Sequence, residues 1–274
     1  MQLLYQAGQV GKTMARKPEG VYTDQGVLVP FSAVQLQTTF ASELDDVSNF
    51  GATGTQVGSL NAIDPGSGPF GAGSLYFASG AAFPYQDYST FNRLSQQGLG
   101  GAIEFTIDAW IKPESGRPTT SRGIVGQLAT TITNSQSQYI LYTNGLSGSQ
   151  VGLVFQIHRG TTNSFSTSVS STTSGCLVNQ WNHIRLSVRL NPSTGLQEYR
   201  WYINGTYKTS VSVGDLPTYE TANTVPHQVG ITFRGTGSDT RFPGWIGPLR
   251  VIKGYSLNNV NANITIPTTY FPVY

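Results

Sequence analysis

The sequence holds one cysteine, Cys176, in 274 residues, and a single thiol cannot close an internal disulfide. No run of about 18 apolar residues is present to cross a bilayer as a helix, so no membrane insertion is expected. Nor does an apolar run of signal-peptide type follow Met1; with the lone thiol, this predicts folding in a reducing cytoplasm. On that expectation the Asn-x-Thr triplets at Asn204 and Asn263 read as chance, since glycan acceptors need a secretory route.

Charge is scarce as well. Charged residues are 11% of the chain, with a net charge of +2, against about 25% in an average domain. Such a balance makes no electrostatic footprint for nucleic acid, which is not expected as a partner. Helical signal is also missing: no window of a dozen residues carries apolar positions at 3.6 spacing between caps.

What is present is period-two alternation. In Trp181 to Leu190, Ile184, Leu186, Val188 and Leu190 point one way and His183, Arg185, Ser187 and Arg189 the other, which predicts a half-buried antiparallel strand. Arg200 to Lys208 alternates around Asn204-Gly205, a pair that accepts the positive φ of a tight hairpin turn. Further alternation occurs at Leu75 and Phe77; at Phe105, Ile107, Ala109 and Ile111; at Leu153, Phe155 and Ile157; at Val229, Ile231 and Phe233; and at Leu249 and Val251. Between these runs lie turn-rich stretches such as Asp64 to Pro69, Asn144 to Gly148 and Gly235 to Ser238, read as loops. At least seven short strands with regular turns predict an all-β fold, a two-sheet antiparallel sandwich or a barrel.

Residues 1–40 read differently. Lys12, Arg16 and Lys17 stand in a polar stretch, followed by the short apolar run Val27-Leu28-Val29-Pro30-Phe31. The expectation is an extended N-terminal arm that makes an assembly contact through Lys12, Arg16, Lys17, Val27, Val29 and Phe31, with residues 41–274 forming the sandwich domain. The other reading is that the arm folds back along its own domain.

Five segments in order carry a resemblance: Gly73 to Phe77, Phe105 to Pro113, Trp181 to Ile184, Trp201 to Gly205, and Ile246 to Gly254. Together they resemble laminin-G-like, concanavalin A-like jelly-roll domains over residues 70–254. The closing Leu249-Arg250-Val251-Ile252-Lys253-Gly254 looks like the versions found in tailed-phage virion proteins. The family commonly carries an acidic pair just before this Leu-Arg, where this chain has Gly247-Pro248. The resemblance implies a jelly-roll sandwich. It also implies a virion structural protein, a capsid decoration or fibre-like appendage of head or tail, assembled in the host cytoplasm. Its partners would be other virion proteins or copies of itself, with surface glycans as ligands. Calcium binding in laminin-G relatives would call for converging oxygen ligands; Asp45, Asp46 and Asp87 could contribute but lack ligand spacing, so no cofactor is assigned and calcium stays open without support from the sequence.

Because glycoside hydrolases share this architecture, Glu104 and Asp108 are the pair to test for catalysis. Four residues along a strand span about 13 Å, whereas paired glycosidase carboxylates sit about 5 to 9.5 Å apart. His158, His183 and His227 stand in no nucleophile or metal motif and read as surface or hydrogen-bonded histidines. No catalytic residue is assigned and no enzyme is expected. Trp110, Trp181 and Trp201 lie within strand motifs and are expected to fill the space between sheets. The loop Phe83 to Tyr88 presents Tyr85 and Tyr88 beside Asp87, two flat apolar faces and an acceptor suited to a sugar ring, and these three are the candidate ligand-binding residues. Against the virion role stands a stand-alone carbohydrate-binding module using those tyrosines, and behind it a glycoside hydrolase.

Overall fold

A computed structural model describes residues 20–22, 28–30, 34–38, 40, 54–57, 61–77, 88–91, 102–115, 122–127, 139–147, 149–158, 165–170, 175–213, 227–230, 242–258 and 260–268. In chain order the strands are β1 (Gly20–Tyr22), β2 (Leu28–Pro30), β3 (Val34–Thr38), β4 (Gly54–Val57), β5 (Asn61–Asp64) and β6 (Ser74–Phe77). There follow β7 (Tyr88–Phe91), β8 (Phe105–Pro113), β9 (Arg122–Gln127), β10 (Tyr139–Ser147), β11 (Gln150–His158) and β12 (Phe165–Ser170). The last six are β13 (Cys176–Leu177), β14 (Asn182–Leu190), β15 (Gln197–Ile203), β16 (Thr206–Val213), β17 (His227–Val229) and β18 (Gly244–Lys253).

Two eight-stranded sheets face each other. The first runs β12-β11-β10-β9-β17-β7-β4, with β13 added beside β11; the second runs β16-β15-β14-β8-β18-β6-β5, with β3 added beside β18. β1 and β2 form a separate antiparallel pair. The fold is the antiparallel two-sheet sandwich that the alternation predicts.

Parity explains the interior. Phe105, Ile107, Ala109 and Ile111 of β8 face inward beside Ile184, Leu186 and Val188 of β14 and Tyr199, Trp201 and Ile203 of β15. The first sheet answers with Val125, Tyr139, Leu141, Leu153, Phe155, Ile157 and Val229. Phe105 and Phe155 meet across the gap at 5.4 Å between ring centres. Each such side chain removed from water contributes about 1.5–3 kcal/mol, which makes this interior the main source of stability. Cys176 is sealed in the same interior, and burial pushes its thiol up to about 12. The hairpin at Asn204-Gly205 forms as predicted, with φ of 50° and 75° at the two residues joining β15 to β16.

Several expectations are corrected. β14 is buried on both faces along most of its length: His183, Arg185 and Ser187 are as enclosed as Ile184 and Leu186. The chain after β18 crosses this outer side of the second sheet and bonds to Arg185 and Ser187, while Trp110 packs on His183. Leu257 N–H donates to Thr106 Oγ1 at 3.0 Å, Asn258 N–H to Ser187 Oγ at 3.1 Å, and Tyr202 hydroxyl to Val260 O at 2.6 Å. Farther along, Ile264 N–H donates to Gly205 O at 2.8 Å. Polar residues on an alternating strand therefore mark a covered polar layer here instead of a wet face.

Among the tryptophans, Trp201 fills the interior, but Trp110 and Trp181 do not. Because Ala109 and Ile111 point inward, pleating sends Trp110 outward, where it packs beside His183 at 5.1 Å between rings. Trp181 is half-buried on that same side and donates its indole N–H to Ser67 O at 3.2 Å. The stretch Asn144 to Ser147, read as loop, belongs to β10: the chain keeps pairing with β11 through a register shift in which Gly145 takes φ of 68°. Val34–Thr38, read as arm, pairs antiparallel with the second half of β18, and Phe40 joins the core.

β18 organises the second sheet. Its register against β8 shifts between Ile246 and Leu249, which places Gly247-Pro248 in a bulge. A central strand tolerates proline only in such a position, since it has no N–H for the ladder. A Cβ on Gly247 would lie 3.1 Å from both Pro69 Cδ and the Trp181 ring. The bulge also divides the opposite edge of β18, which pairs with β6 over Gly244–Ile246 and with β3 over Leu249–Ile252.

Candidate functional site

The proposed ligand loop falls mostly outside the described residues: Tyr85 and Asp87 lie there, while Tyr88 opens β7 opposite Val57, so it is a strand residue and not part of a loop. Of the arm contacts, Lys12, Arg16, Lys17, Val27 and Phe31 also lie outside them, and Val29 pairs with Val21 in the β1–β2 ladder. Asp45 and Asp46 fall outside as well.

Of the pair Glu104 and Asp108, Asp108 is engaged in a buried network of hydrogen bonds. Asp108 projects from the outer side of β8 into the layer sealed by the C-terminal crossing. Its Oδ2 accepts from Arg185 Nη2 at 2.9 Å and Arg250 Nη2 at 2.8 Å, and its Oδ1 accepts from His183 Nε2 at 2.5 Å. Burial opposes the charge, yet the two guanidinium groups and His183 outweigh it and hold the carboxyl well below the usual carboxylate range. Burial conversely holds His183 below the usual imidazole range, so it is a neutral donor at physiological pH. A carboxylate so engaged cannot protonate a leaving group. His227 is buried between the sheets with its Nδ1 3.0 Å from the Tyr139 hydroxyl, and His158 ends β11. No group of three His, Cys, Asp or Glu side chains among the described residues could hold a metal ion.

A different region of the second sheet presents aromatic and polar groups to solvent. Tyr76 on β6, Trp245 on β18 and Lys112 on β8 are successive cross-strand neighbours on the outer side, all half-buried. The Tyr76 and Trp245 rings lie 4.5 Å apart, and the Lys112 ammonium sits 4.4 Å from the centre of the Trp245 ring. Each ring is tied to a carboxylate: Trp245 Nε1 donates to Asp64 Oδ2 at 3.3 Å, and the Tyr76 hydroxyl donates to Glu114 Oε1 at 3.2 Å.

Two residues back along β8 from Lys112, about 6.7 Å at strand rise, Trp110 supports Phe70. The two rings meet edge to face at 5.1 Å. Phe70 is 47% exposed and holds φ of 60° in the turn Pro69–Gly71. A bulky side chain in left-handed backbone carries strain that surrounding structure must hold. That brace is visible: Gly68 N–H donates to Ala72 O at 2.8 Å, Ala72 N–H to Pro69 O at 3.1 Å, and Ser67 Oγ to Asp64 O at 2.8 Å. Trp181 adds its indole bond to Ser67 O, and Pro69 is buried beneath. The turn thus fixes an apolar ring in solvent beside a row of polar and aromatic groups.

Sequence reasoning missed this patch. Its signal was parity: Tyr76 alternates with inward Leu75 and Phe77, Lys112 follows inward Ile111, and Trp245 precedes inward Ile246. Phe70 carried no periodic signal, being in a turn.

Comparisons with known proteins agree with the architecture. A sequence comparison with curated proteins finds no match. Among solved structures, domain 4 of a GH43 extracellular arabinanase from Geobacillus stearothermophilus, in complex with arabinotriose, is 19% identical with a TM-score of 0.53, covering 81% of this chain and 92% of that one. The binding domain of botulinum neurotoxin serotype C1 is 15% identical with a TM-score of 0.54, covering 83% of this chain and 50% of that one. At these identities the likeness is one of fold. A laminin-G-type family model matches residues 84–258. That span is well over half of the chain, includes β7 through β18 of the sandwich just described, and places this protein in the concanavalin A-like lectin/glucanases superfamily.

Proposed function

We propose that this lectin-like sandwich binds carbohydrate without altering it, and that the outer patch around Phe70, Tyr76 and Trp245 is a binding surface. The observation that carries this reading is Phe70, a ring fixed in solvent on a strained and braced turn, where water gains nothing from it but an apolar sugar face would. The adjoining carboxylates and ammonium supply the polar groups that orient a ligand. Superfamily membership supports the reading, as does the arabinanase domain solved with arabinotriose. Binding without turnover fits the engagement of Asp108 with two arginines.

A glycan array probed with the intact chain, followed by calorimetry on any hit, tests this. Binding should appear and should weaken at least tenfold in Phe70→Ala. Retention of full affinity in Phe70→Ala with loss in Tyr85→Ala/Tyr88→Ala would move the site to the segment before β7, and product release from a bound glycan would overturn binding without turnover.

The second reading is a place for this domain in a virion, as a capsid decoration or a head or tail appendage. Support comes from the closing segment Leu249 to Gly254, which resembles tailed-phage virion proteins. Immunogold labelling of purified particles with antibody to the sandwich checks it; unlabelled particles from cells that express the protein would remove it.

A further inference from the structure

Resting on the carbohydrate-binding reading, we infer that the ligand of the outer patch is an uncharged glycan whose neighbouring hydroxyl groups donate to Asp64 and Glu114. Three observations carry this. First, the carboxylates are built into the aromatic surface. Asp64 accepts the Trp245 indole N–H through Oδ2, and Glu114 accepts the Tyr76 hydroxyl through Oε1, so each acid is held at the edge of a ring. A carboxylate has acceptor capacity on both oxygens, and one donor leaves most of it unused. Vicinal hydroxyls on a sugar present two donors at a spacing that matches the two oxygens of one carboxylate, and a ring beside them covers the apolar face of the same sugar.

Second, the charges do not balance. The described part of the patch contains two carboxylates against one ammonium, and that ammonium already lies over the Trp245 ring. A uronate or sialylated ligand would bring a third negative charge to described groups that include one ammonium, itself engaged over the Trp245 ring. Like charges brought together without compensation discriminate against the wrong ligand even where the contacts are otherwise good. A neutral sugar meets no such repulsion and satisfies acceptors that an acid cannot.

Third, Trp245 is flanked by Tyr76 on one neighbouring strand and by Lys112 on the other. Its role is to position: it holds Asp64 by its N–H and stiffens the row. The ring presented most openly to a ligand is Phe70, which lies toward Trp110 on the same side of the sheet.

The test uses the intact chain on an array carrying matched neutral and acidic glycans, including arabinan and xylan oligosaccharides, polyuronates and sialyllactose. Affinities for the best hit are then measured for the wild type, Asp64→Asn, Glu114→Gln and Phe70→Ala, after thermal melts confirm folding. The expected result is binding confined to neutral glycans, with Asp64→Asn and Glu114→Gln each weakening it roughly ten- to hundredfold, the fold-change for a hydrogen bond to a charged group. Tightest binding to polyuronates or sialyllactose overturns the inference without variants. So does neutral binding lost in Phe70→Ala but unchanged in both acid variants, which leaves the carbohydrate-binding reading standing. Absence of binding to any glycan removes that reading and this inference with it.

Discussion

Asp108 and Arg250 are cross-strand partners on β8 and β18, and Arg250 Nη2 donates to Asp108 Oδ2 at 2.8 Å with both side chains buried. The same oxygen takes Arg185 Nη2 from β14. One buried carboxylate therefore ties three adjacent strands of the second sheet. Arg185 Nη1 also donates to Asn258 Oδ1 of the C-terminal crossing.

Replacing Asp108 by asparagine is predicted to lower stability by about 3–5 kcal/mol, because two enclosed guanidinium groups lose the charge that compensates them. Denaturant unfolding followed by tryptophan fluorescence measures it. A loss below about 1 kcal/mol, the size of an exposed ion pair, would contradict the enclosed geometry.

Acid should unfold the protein through this same centre, and the signs can be worked out. Asp108 is held well below its ordinary value in the folded state, so its contribution is complete above the unfolded carboxyl value near 3.9 and is lost as pH falls below it. His183 is also held below its ordinary value, so the unfolded chain takes up the proton first, and stability declines as pH falls through about 6.5. Urea midpoints between neutrality and about pH 5 should therefore drop with pH, and His183→Gln should flatten that part of the curve. An unchanged slope in the variant would count against a neutral, buried His183.

How far the sequence foretold this centre depends on what alternation can say. It divides β14 into two faces and identifies Ile184, Leu186 and Val188 as interior, which they are. It does not say what lies over the other face. His183, Arg185 and Ser187 look like a solvated row because the segment that bonds to Arg185 and Ser187, Ser256 to Asn258, is aperiodic and some seventy residues away, and because Trp110 covers His183. Trp110 is a different case: parity against Ala109 and Ile111 already placed it outside the core, and ring size was the weaker guide. The Asn204-Gly205 turn was legible because its constraint is local. Phe70 was not, since its left-handed backbone depends on aperiodic bonds among the flanking Gly68, Pro69 and Ala72 and on Trp181, which is 114 residues along the chain from the Ser67 it bonds.

Gly244 opens β18 with φ of 122°, and a Cβ there would lie 2.2 Å from Lys112 O, on the strand it pairs with. Both the backbone conformation and the contact exclude a side chain, since the obstacle is backbone and cannot rotate away. Gly244→Ala is predicted to cost more than about 2 kcal/mol, beyond the range of ordinary surface substitutions. It should also disturb Trp245, shifting the emission of the folded protein. A neutral melt with unchanged emission would contradict this register of β18 on β8.

The C-terminal crossing can be tested at Tyr202. The Tyr202 hydroxyl donates to Val260 O at 2.6 Å, and burial pushes the phenol up to about 12. Removing the hydroxyl in Tyr202→Phe leaves the ring packed but strands the Val260 carbonyl, which predicts a loss of about 1 kcal/mol at neutral pH. The alkaline limb gives a sharper signature. A phenol whose folded value lies above the unfolded value near 10 contributes stability that is complete below that pH and is lost as pH rises toward 12. Stability of the wild type should therefore fall across that window, and Tyr202→Phe should fall less steeply. Hydrogen exchange would locate the effect, because amides such as Leu257 and Asn258, bonded to Thr106 and Ser187, are protected only while the crossing stays down. Faster exchange there, with β8 and β14 unchanged, is the expected pattern. Uniform acceleration across the sandwich would instead mean that the crossing and the sheet unfold as one unit.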